Sequence, residues 1–156
     1  MTNADNARSF KIDLRQFAEE IVPEALLRVQ KGVALDILRR LVLKSPVGNP
    51  SLWKRKAPKG YTGGTFRGFW QAYVAVDPGD GVPAPKRGTR PRTASLTQRE
   101  AEQRIRSAKL GDTIYIVNGL PYATRLNAGW SKQAPSGFFE LAVAETARKV
   151  AEDFRQ

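Results

Sequence analysis

Apolar positions in this chain form two helical stripes, with strand-like runs between them. Leu26, Val29, Val33, Ile37 and Leu41 recur at three- and four-residue spacing, and Leu27, Ala34, Leu38 and Val42 widen the stripe into a broad face. The spacing predicts a core helix from about Glu24 to Leu43, roughly 30 Å long and about the width of a small domain. Asp13 with Gln16 forms a capping-box pattern that opens an earlier helical piece carrying Phe17 and Ile21 on one face. Pro23 lacks a backbone donor, so that piece either ends near Ile21 or kinks there. Ser45-Pro46 stops the core helix.

Alternation takes over further on. From Thr65 to Val76 the chain reads as a strand with Phe66, Trp70, Ala72, Val74 and Val76 on one face and Arg67, Gln71 and Tyr73 on the other. Trp70 reads as a core anchor rather than a ligand platform. Thr97 with Glu100 starts a helix to about Ala108, with Ala101, Ile105 and Ala108 inward. A second strand, Thr113–Val117, runs into Asn118-Gly119, a dipeptide suited to a tight turn. Tyr122 to Leu126 continues in extended or briefly helical form, and Gly129, Pro135 and Gly137 break up the loop after it. Ser136 is placed to cap a last helix striped by Phe139, Val143, Ala147, Val150 and Phe154.

The predicted fold is therefore α+β: a small, mainly antiparallel sheet packed against a long N-terminal helix and a C-terminal helix. Residues 1–12 read as a mobile tail and 13–156 as a single domain, with long irregular loops at about 45–64 and 78–96. A chain of 156 residues suits one domain that buries roughly 68–70% of its unfolded surface. The absence of cysteine excludes disulfides and thiolate metal sites. The absence of histidine removes the commonest general base and the commonest metal ligand together. The apolar run Ala72–Val76 is far too short for a membrane span, and no secretory signal is visible, so the expectation is a soluble protein used in a cytoplasm.

Charge changes the picture once it is divided along the chain. Residues 1–36 carry 5 basic and 6 acidic side chains, residues 37–99 carry 13 and 2, and residues 100–156 carry 8 and 7. The net charge of +11 thus resides entirely in the middle section. A field so concentrated serves an anionic partner or a steering role. Lys54, Arg55, Lys56 and Lys59 flank Trp53 and Tyr61, and Lys86, Arg87, Arg90 and Arg92 follow in residues 82–95. Bases interleaved with aromatics suit phosphate contact and stacking. The plainer reading is a pair of solvated loops that gain order in an assembly, and the two are compatible. Trp130 and Lys132, in the loop before the last helix, join these as candidate assembly- or DNA-facing residues.

Catalytic constellations are hard to assemble from this sequence. The glycines at Gly60, Gly63, Gly64 and Gly68 precede a strand and lack the Gly-Lys-Ser/Thr of a nucleotide P-loop. Asp77 with Asp80 lies in a Gly/Pro turn, and Glu100 with Glu102 at a helix start where acids are favoured anyway. Serines have no histidine partner, which leaves only a Ser–Lys pair as a nucleophile system. No catalytic residue, cofactor site or metal site is assigned.

The stretch Ile114–Phe138 also resembles a known family. The Asn118-Gly119 turn after a strand, then Pro121-Tyr122-Ala123, Arg125-Leu126 with Gly129, and Ser131-Lys132-Gln133-Ala134-Pro135 with Gly137-Phe138 leading into a last helix are similar to the neck and tail-completion proteins of tailed bacteriophages. The order strand, short helix, strand, Asn-Gly turn fits as well. The family's short connection after the long helix departs here: Pro46-Val47-Gly48 is followed by an insertion before Gly63-Gly64 and the Arg67-x-x-Trp70 pattern. The resemblance implies a non-enzymatic virion protein of the head–tail junction or tail terminus, residing in the host cytoplasm before assembly. It also implies a homo-oligomeric ring that contacts neighbouring neck, portal-adaptor or tail proteins, with DNA touched through phosphates. The competing expectation is a basic nucleic-acid-binding module that acts as a monomer. An enzyme built on a carboxylate pair is a third, and it requires a pocket in which two acids converge.

Overall fold

The computed structural model describes residues 17–53, 56, 57, 59, 61, 63–75 and 94–155. Helix α1 (Val22–Lys44) is its axis. Pro23 lies in the first turn, where its missing N–H is not needed, and a π-helical turn (Phe17–Ile21) precedes it. The winding thus changes at Ile21, where Pro23 is expected to end or kink a helix. The capping-box pair Asp13 and Gln16 falls outside the described residues.

The stop at Ser45 is more than a terminus. Its hydroxyl donates to the Leu41 carbonyl at 2.6 Å and accepts the Trp70 indole N–H at 2.8 Å. The Arg67 guanidinium donates to the carbonyls of Leu43 and Ser45 at 3.2 and 3.0 Å. Carbonyls that a helix end leaves orphaned are satisfied in this way. Trp70, only 2% exposed, is the core anchor that the alternation predicts.

Strands β1 (Trp70–Ala75) and β2 (Thr113–Asn118) pair antiparallel, with Trp70 opposite Asn118 and Tyr73 opposite Tyr115. The strand is shorter than the expected 65–76. Thr65 and Phe66 turn, and Arg67–Phe69 forms a 3-10 turn closed by bonds from Gly68 N to Gly64 O and from Phe69 N to Phe66 O. Local turn bonds displace the ladder there, which sends Phe66 into the core and Arg67 to the end of α1. Val76 lies outside the described residues.

Helix α2 (Ala94–Ser107) begins upstream of Thr97, so that residue is inside the helix and is not its cap. Ala101, Ile105 and the following Ala108 are buried as expected. This helix lies along β1, where Arg104 donates to the Ala72 carbonyl at 3.1 Å and covers the Tyr73 ring at 5.4 Å. Gln30 and Lys31 tie α1 to the far end of α2, donating to the carbonyls of Asp112 and Arg106, each at 2.7 Å.

Helix α3 (Phe138–Asp153) runs antiparallel to α1. It reaches the sheet through its first turn, where Phe138 and Phe139 stack edge-on near Phe66 and Trp70. Its buried face is Phe138, Ala142 and Thr146, one position away from the expected stripe; Val143 and Phe154 are 52% and 72% exposed. The reason is steric and polar together. Ala142 lets the two helices approach closely, and the one proton of the Thr146 hydroxyl is shared between the Asp36 carboxylate of α1 at 2.8 Å and the Ala142 carbonyl at 3.0 Å. Bulk at Val143 has no comparable niche. On α1 the stripe divides: Ala34, Leu38, Leu41 and Val42 are buried, while Leu26 and Val29 stand exposed.

Candidate interaction surface

The chain leaving α1 folds into a tied loop. The Asn49 carboxamide accepts from Ser51 N at 3.0 Å and starts a 3-10 turn, Pro50–Leu52. Gly48 holds φ +81°, and a Cβ there would collide with the Tyr61 hydroxyl. Its N–H donates to the Gln133 side-chain oxygen at 3.0 Å, and Gly64 N donates to the Val47 carbonyl. Trp53 and Tyr61 meet with ring centres 4.7 Å apart. Burial, and secondarily the neighbouring Tyr61, push the Tyr122 phenol above its ordinary pKa.

The segment that receives this loop begins at Asn118. Its side chain accepts from Leu120 N at 3.3 Å and donates to the Phe66 carbonyl at 3.0 Å. Gly119 is not among the positive-φ glycines, so the Asn side chain makes the turn rather than a left-handed pair. A single α-turn (Ala123–Arg125) and a π-turn (Leu126–Trp130) follow, with Gly129 at φ 87°. Asn127 then caps α3 from a distance in sequence. Its side-chain oxygen accepts from Phe139 N at 2.9 Å, its carbonyl accepts from Gly137 N at 2.7 Å, and its amide donates to both Glu140 oxygens. Ser136 is not the cap, because left-handed Gly137 intervenes. The Asn127 bond, followed by the backbone at Glu140 itself, lowers the Glu140 pKa.

The result is two loops, tied to each other, that both expose aromatic and basic side chains. Trp53, Lys56, Lys59, Trp130 and Lys132 are all exposed, and the Gly48–Gln133 bond joins the two loops that carry them. Lys54, Arg55, Lys86, Arg87, Arg90 and Arg92 lie outside the described residues. Sequence reading missed Val47 and Leu52, exposed apolar neighbours of Trp53, and Arg125, whose guanidinium sits 5.3 Å from the Trp130 ring centre. Their five-residue separation spans the left-handed kink at Gly129, and no helical template reads that spacing.

A second group of charges joins α1 to α3. Arg40 donates to Asp36 and Glu145 at 2.6 Å each, Lys44 donates to Glu145 at 2.8 Å, and Lys149 lies 3.7 Å from Asp36. Burial would raise the Asp36 pKa, but the bonds from Arg40 and Thr146 hold it below the ordinary value. Bonds from Lys44 and then Arg40 lower that of Glu145. Every carboxylate in this group is engaged by a base or hydroxyl, which is the pattern of an interhelical clamp.

Among the described residues no group of three potential ligands could hold a metal ion, and no helix is long and apolar enough to cross a membrane. Fold and surface together define an α+β protein that exposes Trp53 in the loop after α1 and Trp130 in the loop before α3, each with lysines near it in sequence. No family model, curated protein or solved structure matches the chain.

Proposed function

We propose that this chain is a non-enzymatic virion structural protein of the phage head–tail junction or tail terminus, assembling as a ring. One observation carries the reading: two loops tied by the Gly48–Gln133 bond expose Trp53, Trp130, Val47 and Leu52 together with Lys56, Lys59, Lys132 and Arg125. Tryptophan and arginine beside apolar neighbours suit protein interface centres, whereas a phosphate track needs little aliphatic surface. The resemblance over residues 114–138 supports it, and Gln133 of the same stretch holds the Gly48–Tyr61 loop by its hydrogen bond to Gly48 N. The partners are further copies of the chain and adjoining neck, portal-adaptor or tail proteins.

The test is genetic and structural. In a tailed phage carrying this coding sequence, its deletion should leave filled heads and tails unjoined or tails unfinished. Mass spectrometry should find the chain in wild-type particles, and a reconstruction should place it in a ring. Infectious deletion particles, or wild-type particles that lack the chain, refute the reading.

The +11 middle section favours a second reading, a monomeric nucleic-acid-binding module. It requires duplex or single-strand binding by the isolated chain that falls steeply between about 50 and 200 mM salt. Replacing Lys54, Arg55, Arg87 and Arg90 by Ala must then abolish it. Binding that is weak and unchanged in that variant removes this alternative.

A further inference from the structure

The α1/α3 pair has two unlike ends. Where α3 finishes, Val29, Val33, Val150 and Phe154 line an open groove around Gly32, with a volume of about 280 Å³. That size suits one large side chain. Gly32 lies inside α1, where glycine is less favourable than alanine. No atom lies within 4 Å of the position a Cβ would take, so no packing within the described residues requires it. The groove is apolar and open: Phe154 is 72% exposed and nearby Leu26 55%.

Its rim carries Asp153 where a helix least favours an acid. Asp153 occupies the last turn of α3, at the negative pole of the helix dipole, beside Glu152, which faces Arg148 at 3.9 Å. Lys149 is the one base among the lining residues, and it faces Asp36 at 3.7 Å. Asp153 has no ion-pair partner among the described residues. A cation arriving from outside would be attracted both by that carboxylate and by the dipole.

The opposite end carries the complement. Trp130 is 74% exposed, and the Arg125 guanidinium lies over its ring at 5.3 Å. This aromatic–cation pair stands beyond the N-terminus of α3, next to the cap residue Asn127. The 16 residues of α3 place the two ends roughly 24 Å apart. Groove and aromatic pair therefore meet only between molecules.

We propose that the groove around Gly32 receives the Trp130–Arg125 pair of a second copy of this chain. Trp130 fills the apolar floor between Val33 and Phe154, and Arg125 faces Asp153. The contact joins unlike patches, so it is heterologous: each copy offers a free groove and a free aromatic pair, and addition continues until a ring closes or a filament grows. In its closed form the proposal rests on the ring reading above. The contact itself makes its own claim.

The absence of cysteine makes the test clean. Full-length R125C and D153C are each purified, mixed and oxidised at about 50 and 500 mM salt, and thermal melting confirms that both fold. The expected result is an R125C–D153C disulfide dimer in the mixture, formed alike at both salt concentrations because the cross-linked contact lacks both charges, and little dimer from either variant alone. The double variant should give a ladder of higher oligomers. Adding Gly32→Leu to D153C should fill the floor and remove the cross-link; leucine is a better helix former than glycine, so α1 should persist. Absence of the mixed dimer, predominance of like-with-like dimers, or a cross-link indifferent to Gly32→Leu each overturns the proposal. A ladder from a protein missing from phage particles would instead refute only the neck reading, and particles that contain the chain without this cross-link would refute only the contact.

Discussion

Ser45→Ala is the most informative single change because one buried hydroxyl holds two elements. Its oxygen donates to the Leu41 carbonyl at 2.6 Å and accepts the Trp70 indole N–H at 2.8 Å, and Ser45 and Trp70 are each 2% exposed. The Leu41 carbonyl keeps a bond from Ser45 N at 3.0 Å, so its loss is partial. The indole has no such reserve. A buried donor left unpaired costs about 1–3 kcal/mol, and we expect about 2 kcal/mol for this variant. For a chain of this size that corresponds to a fall in Tm of roughly 4–8 °C. Urea unfolding followed by far-UV circular dichroism measures it. Trp70→Phe in the same series removes the donor. If the bond carries the effect, the double variant should be less destabilised than the sum of the singles by about 1 kcal/mol or more. A Ser45→Ala cost below about 0.5 kcal/mol, or additive single variants, refutes the reasoning.

Three further outcomes follow from other parts of the fold. Asn127→Ala removes the cap on Phe139 N and should cost about 0.5–2 kcal/mol in urea unfolding, whereas Ser136→Ala should cost little; equal costs would restore the serine as the cap. Asp36 and Glu145 have lowered pKa values in the folded protein, so their contribution is fully present above the ordinary carboxylate range and is lost as pH falls through and below it. Stability should accordingly decline between about pH 5 and 3, less steeply in Asp36→Asn, and an unchanged slope in that variant rules the clamp out as the cause. Gly48→Ala combines a left-handed φ of +81° with a collision at the Tyr61 hydroxyl, so it should release the loop; faster proteolysis between Pro46 and Gly64 is the readout, and an unaltered digestion pattern contradicts it.

What the sequence made readable was the type of each element more than the face it presents. Periodicity found α1, both strands and α3, because residues such as Leu38, Ile105 and Trp70 repeat the geometry of the backbone that carries them. It misassigned the buried face of α3, since hydropathy favours Val143 over Thr146, while the helix contact favours a small residue and a hydroxyl with a carboxylate to bond. The cap failed for a related reason. Ser136 stands in the local position of a cap, but Asn127 reaches the same amide from across a π-turn, a tertiary relation without a sequence period. For the surface, exposed Trp53, Lys56, Lys59, Trp130 and Lys132 were visible as chemistry, yet their union depends on Gly48 meeting Gln133.

The length of α1 links these points. Lys44 and Arg40 face Glu145, Asp36 faces Thr146 and Lys149, and Val29 and Val33 share a groove with Val150 and Phe154. Antiparallel pairing therefore uses up α3 near Val29, while helical winding continues back to Phe17, an overhang of roughly 18 Å. Along that overhang Ile21, Val22 and Leu26 remain exposed, although the apolar stripe runs on unbroken from the buried half. A stripe of this kind is unfavourable in water wherever nothing covers it, and contiguous apolar exposure marks contact surfaces. The same helix thus anchors the core at Leu38 and Leu41 and, past Ala34, presents exposed apolar side chains at Val29, Leu26, Val22 and Ile21.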